Sequence, residues 1–220
     1  HTDTLGHTIE EIAWHKAGII EPATPVVVAV SERTALKVIA GEASTQGADL
    51  HRVIPAAGDF RRTNEATAHL AVELLGFDVD PADIAEGLAR ARIPGRTEAV
   101  QADPLVILDG AHNPQKIASL VAWFTREHPY AKPVVVAGFL ESKDARAMLH
   151  VLAPVASALV LTEPHIDDKT PTSSAHLAEI GHELAFAGDL EVEPDPRRAI
   201  DRALVLAHQN GQPVLVTGSL

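Results

Sequence analysis

The sequence predicts an α/β protein. Its C-terminal part reads as a Rossmann-like, mostly parallel sheet with helices on both faces, preceded by the end of another domain. Two observations carry this. From about residue 97, short apolar runs alternate with helical periodicity over short links, the pattern of parallel strands joined by crossover helices. One such run, Leu105–Leu108, leads directly into Asp109-Gly110-Ala111-His112-Asn113-Pro114. There Asn113 can cap a helix and Pro114 suits its first turn. A strand therefore ends where a helix begins, at a bend carrying an acid and an imidazole, which is where open α/β sheets place ligands.

The elements follow in order. Thr8–Ala17 is predicted helical, with Ile9, Ile12 and Ala13 on one side. Val26–Val30 reads as a strand after Pro25, Leu36–Ala43 as a helix, and Asn64–Leu75 as a helix with Ala68, Ala71, Val72 and Leu75 in register. Asp80-Pro81 opens a short helix that runs into Ile93-Pro94-Gly95, where Pro and Gly break it and suggest a hinge. The domain boundary is placed there, giving 1–93 and 94–220. Beyond it, Leu105–Leu108, Val134–Ala137, Leu159–Thr162 and Val214–Thr217 read as buried strands, with Leu190–Val192 weaker. Between them, Ile117, Leu120, Val121 and Phe124 share a helix face. So do Met148, Val151, Leu152 and Val155, and so do Ile200, Ala203, Leu204 and Ala207. Asp144 and Asp195-Pro196 are helix starts. The first region has too few strands for a closed domain and reads as the end of one. A start at His1 rather than Met reads as a truncated piece.

Composition excludes several classes. A formal charge of −12 argues against nucleic-acid binding, and the scarcity of aromatics, 4%, against single-strand stacking platforms. No apolar run is long enough for a membrane span, and no signal peptide is apparent. The absence of cysteine removes disulfide and thiol chemistry and suits a reducing cytoplasm. There is no Gly-x-x-x-x-Gly-Lys-Ser/Thr phosphate loop, no His-Glu-x-x-His pair and no Gly-x-Ser-x-Gly elbow.

Several residues could carry chemistry, each with a plainer reading beside it. Lys16, among small and apolar residues of a helical stretch, would have a depressed pKa if buried. It could then capture carbon dioxide as a carbamate, an oxygen ligand for Mg²⁺; the alternative is a lysine snorkelling to solvent. Asn64 could read an adenine edge or simply satisfy backbone donors at a helix start. Arg96, after the Pro94-Gly95 turn, could clamp phosphate oxygens or lie on the surface. Asp109 could accept from a ribose and His112 could bind a carboxylate or phosphate, or both could serve local turn chemistry. Lys143, in Gly138-Phe139-Leu140-Glu141-Ser142-Lys143-Asp144, could neutralise an anion or be solvated. Gly218-Ser219 would supply a close backbone approach and a hydroxyl at the same edge.

Taken together, six segments in order resemble the folylpolyglutamate synthase/dihydrofolate synthase family, within the wider Mur ligase superfamily. They are His1-Thr2-Asp3-Thr4-Leu5-Gly6, Lys16-Ala17-Gly18-Ile19, Pro94-Gly95-Arg96, Leu108-Asp109-Gly110-Ala111-His112-Asn113-Pro114, Ser142-Lys143-Asp144 and Thr217-Gly218-Ser219. The resemblance implies a Mur-ligase-type ATPase domain ending at residue 93 and a glutamate ligase domain over 94–220. It implies ATP-dependent joining of L-glutamate to a folate or dihydropteroate carboxylate through an acyl phosphate, by a cytoplasmic monomer. It further implies His1 as a Mg²⁺ ligand and Lys16 as the carbamate for a second Mg²⁺, Asn64 at the adenine, Arg96 at the phosphates and Asp109 at the ribose. His112, Lys143 and Ser219 would hold the incoming glutamate, with Lys16 and His112 as the catalytic pair.

The sequence departs from the family pattern at Arg61, where Gln is frequent, at Ser142, where Asp is common, and at His7 and Trp14. The family's phosphate loop and most of its folate pocket lie upstream of His1, so the chain alone is expected to turn over no ATP and to carry Lys16 unmodified. A cell-wall Mur ligase and a non-catalytic nucleotide-binding module are the competing readings. The Leu108-Asp109-Gly110-Ala111-His112 bend favours the folate branch over the first.

Overall fold

A computed structural model describes residues 5–56, 59–91 and 93–219. The chain divides into two compact units, His1–Ala91 and Arg92–Leu220.

The first unit is helical with one small sheet. Helix α1 (Ile9–Ala17) starts in a capping box, in which the Thr8 hydroxyl accepts from Glu11 N and the Glu11 carboxylate accepts from Thr8 N. Strand β1 (Val26–Val28) pairs parallel with β2 (Leu50–Arg52). It stops short of the predicted Val30 because the ladder runs only from Val26–Leu50 to Val28–Arg52; β2 itself was not foreseen. Helix α2 (Arg33–Thr45) begins before the predicted Leu36, since Glu32 caps it by accepting from Ala35 N at 2.6 Å. Helix α3 (Phe60–Leu74) likewise starts four residues before the predicted Asn64, because Asp59 accepts from Arg62 N at 3.0 Å. Helix α4 (Pro81–Arg90) opens at Asp80-Pro81 as expected. Among the described residues of this unit, the buried apolar side chains are Ala13, Ala17, Val28 and Ala43.

The second unit is built on six strands: β3 (Glu98–Ala102), β4 (Leu105–Asp109), β5 (Val134–Gly138), β6 (Ala158–Leu161), β7 (Asp189–Val192) and β8 (Val214–Gly218). Their order is β3-β4-β8-β5-β6-β7, parallel except for the antiparallel edge strand β3. The side-chain period of two divides the core. Val106, Val134, Val136, Val160, Val214 and Val216 pack with Ala199, Ala203, Leu206 and Ala207 of α8 (Pro196–Asn210). The alternate residues Ile107, Val135, Leu159, Leu161 and Leu215 are equally buried and face the other side. There α5 (Pro114–Glu127), α6 (Ala145–Leu152) and α7 (Ser174–Glu183) form one layer, neighbours in that order. Helices therefore cover both faces, which is why the strands read as continuous apolar runs.

Helix starts in this unit are set by side chains. Asn113 Oδ1 accepts from Lys116 N at 2.9 Å ahead of Pro114. Asp144 Oδ1 accepts from Ala147 N at 2.9 Å, and Asp195 Oδ1 accepts from both Arg197 N and Arg198 N. Asn113→Ala removes such a cap from the helix that follows the bend. It is expected to lower the unfolding free energy by about 1 kcal/mol in urea titration, with an unchanged m-value.

Candidate active site at the carboxyl rim of the sheet

The site begins with strand register. Asp109 at the end of β4 lies opposite Thr217 of β8, and Gly138 at the end of β5 lies opposite Gly218. The segments following three adjacent strands therefore leave the sheet on one edge. They carry His112 after β4, Lys143 after β5 and Ser219 after β8.

Arg96 is brought to this edge by its backbone. Gly95 has φ +65° and Thr97 φ +45°. The second is a conformation that a β-branched residue adopts only when its surroundings impose it. Those surroundings are specific. Asp109 Oδ2 accepts from Thr97 N at 2.8 Å, and Gly110 N donates to Gly95 O at 2.8 Å. The same carboxylate, through Oδ1, accepts from Ala111 N at 2.9 Å. Asp109 thus ties the turn before β3 to the bend after β4. A Cβ built on Gly110 would lie 2.8 Å from an Arg96 guanidinium nitrogen, so glycine there lets the side chain lie against the bend. From β8, Thr217 Oγ1 donates to Ala111 O at 3.3 Å and pins the bend from behind.

His112 follows. Its Nδ1 sits 2.7 Å from Gly110 O. A carbonyl only accepts, so Nδ1 carries the hydrogen and the neutral ring presents its Nε2 lone pair. Lys116 Nζ lies 3.4 Å from that Nε2. Lys143 completes the group, its charge acting on both His112 and Lys116.

The electrostatics are those of a cationic rim around one buried acid. Burial pushes Asp109 above the ordinary carboxylate value, and its two backbone donors with Arg96 and Lys116 offset only part of that. Burial also pushes His112 below the ordinary imidazole value. The Gly110 carbonyl opposes this, and Lys116, Lys143 and Arg96 add to it. Partial desolvation of its ammonium and the Arg96 charge hold Lys116 low, with Asp109 opposing and Lys143 adding to the depression. Like charges gathered at a strand edge repel one another until an anion sits among them.

The His112 shift has a signed consequence for stability. Between the usual histidine value of ~6.5 and the lower folded value, the unfolded chain binds a proton that the native ring refuses. Acidification through that window therefore favours unfolding. Urea midpoints at pH 7.5 and 5.5 are expected to differ more in the wild type than in His112→Gln, in which that coupling is gone.

Ser219 is at the same rim but 6% exposed; its Oγ accepts from Leu140 N at 3.4 Å and its N donates to Gly138 O at 2.9 Å. Asp109, expected to face a ribose, is 4% exposed with both oxygens already engaged by backbone donors. Lys16 and Asn64 belong to the first unit. Lys16 is exposed, which corrects the burial that its carbamate reading assumed. Asn64 lies exposed in the second turn of α3 and is not a helix-start residue, because Asp59 takes that place. His1 lies outside the described residues. Among the described residues, no group of three or more His, Cys, Asp or Glu could hold a metal ion. No helix among them is long and apolar enough to cross a membrane.

Sequence reading missed Lys116. One signal was available. It is the third residue of α5, and a lysine in the first turn of a helix opposes the helix dipole. Such a residue asks for an anion or another partner to explain it.

Residues 95–220 match the family described as Mur ligase, glutamate ligase domain. The folylpolyglutamate synthase of Lacticaseibacillus casei is 30% identical over 100% of this chain and 57% of its own length. The structure of Mycobacterium tuberculosis folylpolyglutamate synthase complexed with ADP and AMPPCP superposes with a TM-score of 0.86 at 26% identity, covering 100% of this chain and 59% of that one. A Yersinia pestis bifunctional folylpolyglutamate synthase/dihydrofolate synthase with Mn, AMPPNP and L-glutamate bound gives 0.75 at 26% identity, covering 100% and 56%. The chain thus spans about half the length of relatives it matches.

Proposed function

We propose that this chain, which belongs to the Mur ligase superfamily and within it to the folylpolyglutamate synthase/dihydrofolate synthase family, is the later part of an ATP-dependent ligase that joins L-glutamate to a folate or dihydropteroate. Residues 1–93 are the end of its ATP-binding domain and 94–220 its glutamate ligase domain. The observation that carries this is the convergence of Arg96, His112, Lys116 and Lys143 on one strand edge, organised by Asp109.

The chemistry suits such a rim. A carboxylate is a poor acyl donor until a phosphoryl group supplies a leaving group. Bringing that phosphoryl group and an amino-acid dicarboxylate together requires cations to offset their mutual repulsion. Arg96 offers a planar fork for phosphate oxygens. His112 and Lys143 hold the carboxylates of the incoming amine, with Ser219 contributing through the hydrogen its hydroxyl retains. Asp109 shapes the rim first and would meet a ribose only through its remaining lone pairs. Asn64 is the adenine contact. His1 and Lys16, as a carbamate, are the metal-side residues of the complete protein, where Mg²⁺ would supply charge neutralisation for the phosphates. The absence of cysteine suits a reducing cytoplasm, and the family resemblance implies a monomer.

The test is ADP release by the full-length protein. Turnover is expected with ATP, L-glutamate and either dihydropteroate or a reduced folate, and none from the 220-residue polypeptide alone, which carries no phosphate loop. Turnover only with a nucleotide-linked muropeptide would transfer the protein to the cell-wall branch. Nucleotide binding with no turnover on any acceptor would make it a binding module.

A further inference from the structure

We propose that Lys116 is a positioning residue for His112: its ammonium donates to Nε2, holds the ring as the Nδ1–H tautomer, and carries the positive charge that an incoming carboxylate meets at this point of the rim. The proposal rests on the ligase reading for the identity of the carboxylate, and on geometry alone for the pair.

The geometry leaves little choice. Gly110 O fixes Nδ1 as a donor at 2.7 Å, so the neutral ring has only an acceptor left at Nε2. The side chain beside that acceptor at 3.4 Å is an ammonium with three donors and no acceptor. The two residues are four apart, at the bend and in the first turn of α5. The Asn113 cap sets their spacing by accepting from Lys116 N. One ammonium hydrogen directed at Nε2 leaves two for a ligand.

The charged groups acting on this pair come from three segments, while the end of β8 faces the bend with the uncharged Thr217. Those groups are Arg96 in the turn before β3, Asp109 at the end of β4, and Lys143 after β5. With three cations already there, a proton on His112 would add a fourth like charge to the rim, and the surroundings resist it. The outcome is an anion-binding edge whose charge does not depend on imidazole titration near neutrality. Without Lys116, His112 loses both a repelling charge and its Nε2 partner. It then takes up a proton at higher pH, and carboxylate binding inherits that titration.

The experiment uses the full-length protein and ¹⁵N NMR of the histidine rings, with His112 assigned through His112→Gln. In the wild type, His112 is expected as the Nδ1–H tautomer, with a midpoint below that of exposed histidines. In Lys116→Met and Lys116→Gln the midpoint rises by about half a pH unit or more. Their KM for L-glutamate rises about tenfold at pH 8 and recovers toward pH 6, with KM for ATP unchanged. Lys116→Arg, which keeps charge and donors, restores most of the wild-type behaviour. Circular dichroism checks that each variant is folded; Lys116 is exposed, so all are expected to be.

An unmoved midpoint and tautomer in both folded neutral variants would overturn the proposal, as would equal losses in Lys116→Arg and Lys116→Met. The NMR readout needs no turnover. A shifted midpoint in a protein that never ligates glutamate leaves the pair standing and removes the ligase reading. Normal ligation with an unmoved midpoint does the reverse.

Discussion

Gly218→Ala is expected to destabilise the second unit by about 4 kcal/mol, from left-handed strain and overpacking together. Gly218 has φ +125°, a region L side chains rarely adopt, and a Cβ there would fall 2.0 Å from the Gly138 carbonyl oxygen. Neither partner can yield cheaply. Gly138 is the last residue of β5, paired with Gly218 itself, and Ser219 N donates to the same carbonyl. Relief would require β8 to move away from β5 in the middle of the sheet. A domain of this size holds about 5–15 kcal/mol in total, so the variant should show a large fall in urea midpoint or fail to accumulate. Gly211→Ala is the control. It too has a positive φ, +61°, but nothing lies within 4 Å of its Cβ, and about 1 kcal/mol is expected there.

Arg96→Ala is expected to reduce kcat/KM for glutamate ligation by the full-length protein about 10²- to 10³-fold, with unfolding free energy changed by no more than about 0.5 kcal/mol. The separation follows from where the information sits. The conformation of the turn is held by Gly95, Thr97 and the Asp109 carboxylate. The Arg96 side chain is exposed and, among the described residues, makes one hydrogen bond, at 3.3 Å to the neighbouring Gly95 carbonyl. Removing it leaves the fold its supports and takes the planar fork from the rim. Arg96→Lys keeps the charge without the fork and should fall between the two. Equal loss of stability and activity would mean that Arg96 supports the bend and has no direct part in ligand binding.

How much of this was legible depends on whether the cause is local. Leu105–Leu108 and Val214–Thr217 could be read because buried parallel strands need apolar side chains on both faces. Asn113-Pro114, Asp144 and Asp195-Pro196 could be read because a cap is a contact over two or three residues. Strand β3 was missed: Glu98–Ala102 is mostly exposed and exists as a strand through its pairing with β4. Helix α7 was missed as well, its buried Leu177, Ala178 and Ile180 interleaved with His176 and Glu179. That β8 returns between β4 and β5 is a property of the packed sheet that no segment states alone, although it is what brings Gly218 to Gly138. At the site, Asp109, His112 and Lys143 were visible as turn residues at expected strand ends, and Arg96 as a hinge residue after Pro94-Gly95. Their shared place at the carboxyl edge was expected; that Asp109 organises the rim through Thr97 N and Ala111 N was not, because the first of those contacts joins residues twelve apart. Lys16 misled because small and apolar neighbours in sequence do not bury a side chain; a helix presents residues three and four apart to the same side.

On the ligase proposal, one strand edge of this chain receives the phosphate and carboxylate anions. The most direct test is a crystal structure of the full-length protein with a non-hydrolysable ATP analogue and L-glutamate. A phosphate oxygen within hydrogen-bond distance of the Arg96 guanidinium, together with a glutamate carboxylate reached by Lys116 beside a neutral His112, is the predicted result. Both ligands bound elsewhere, with Arg96, Lys116 and Lys143 facing only solvent, would contradict it.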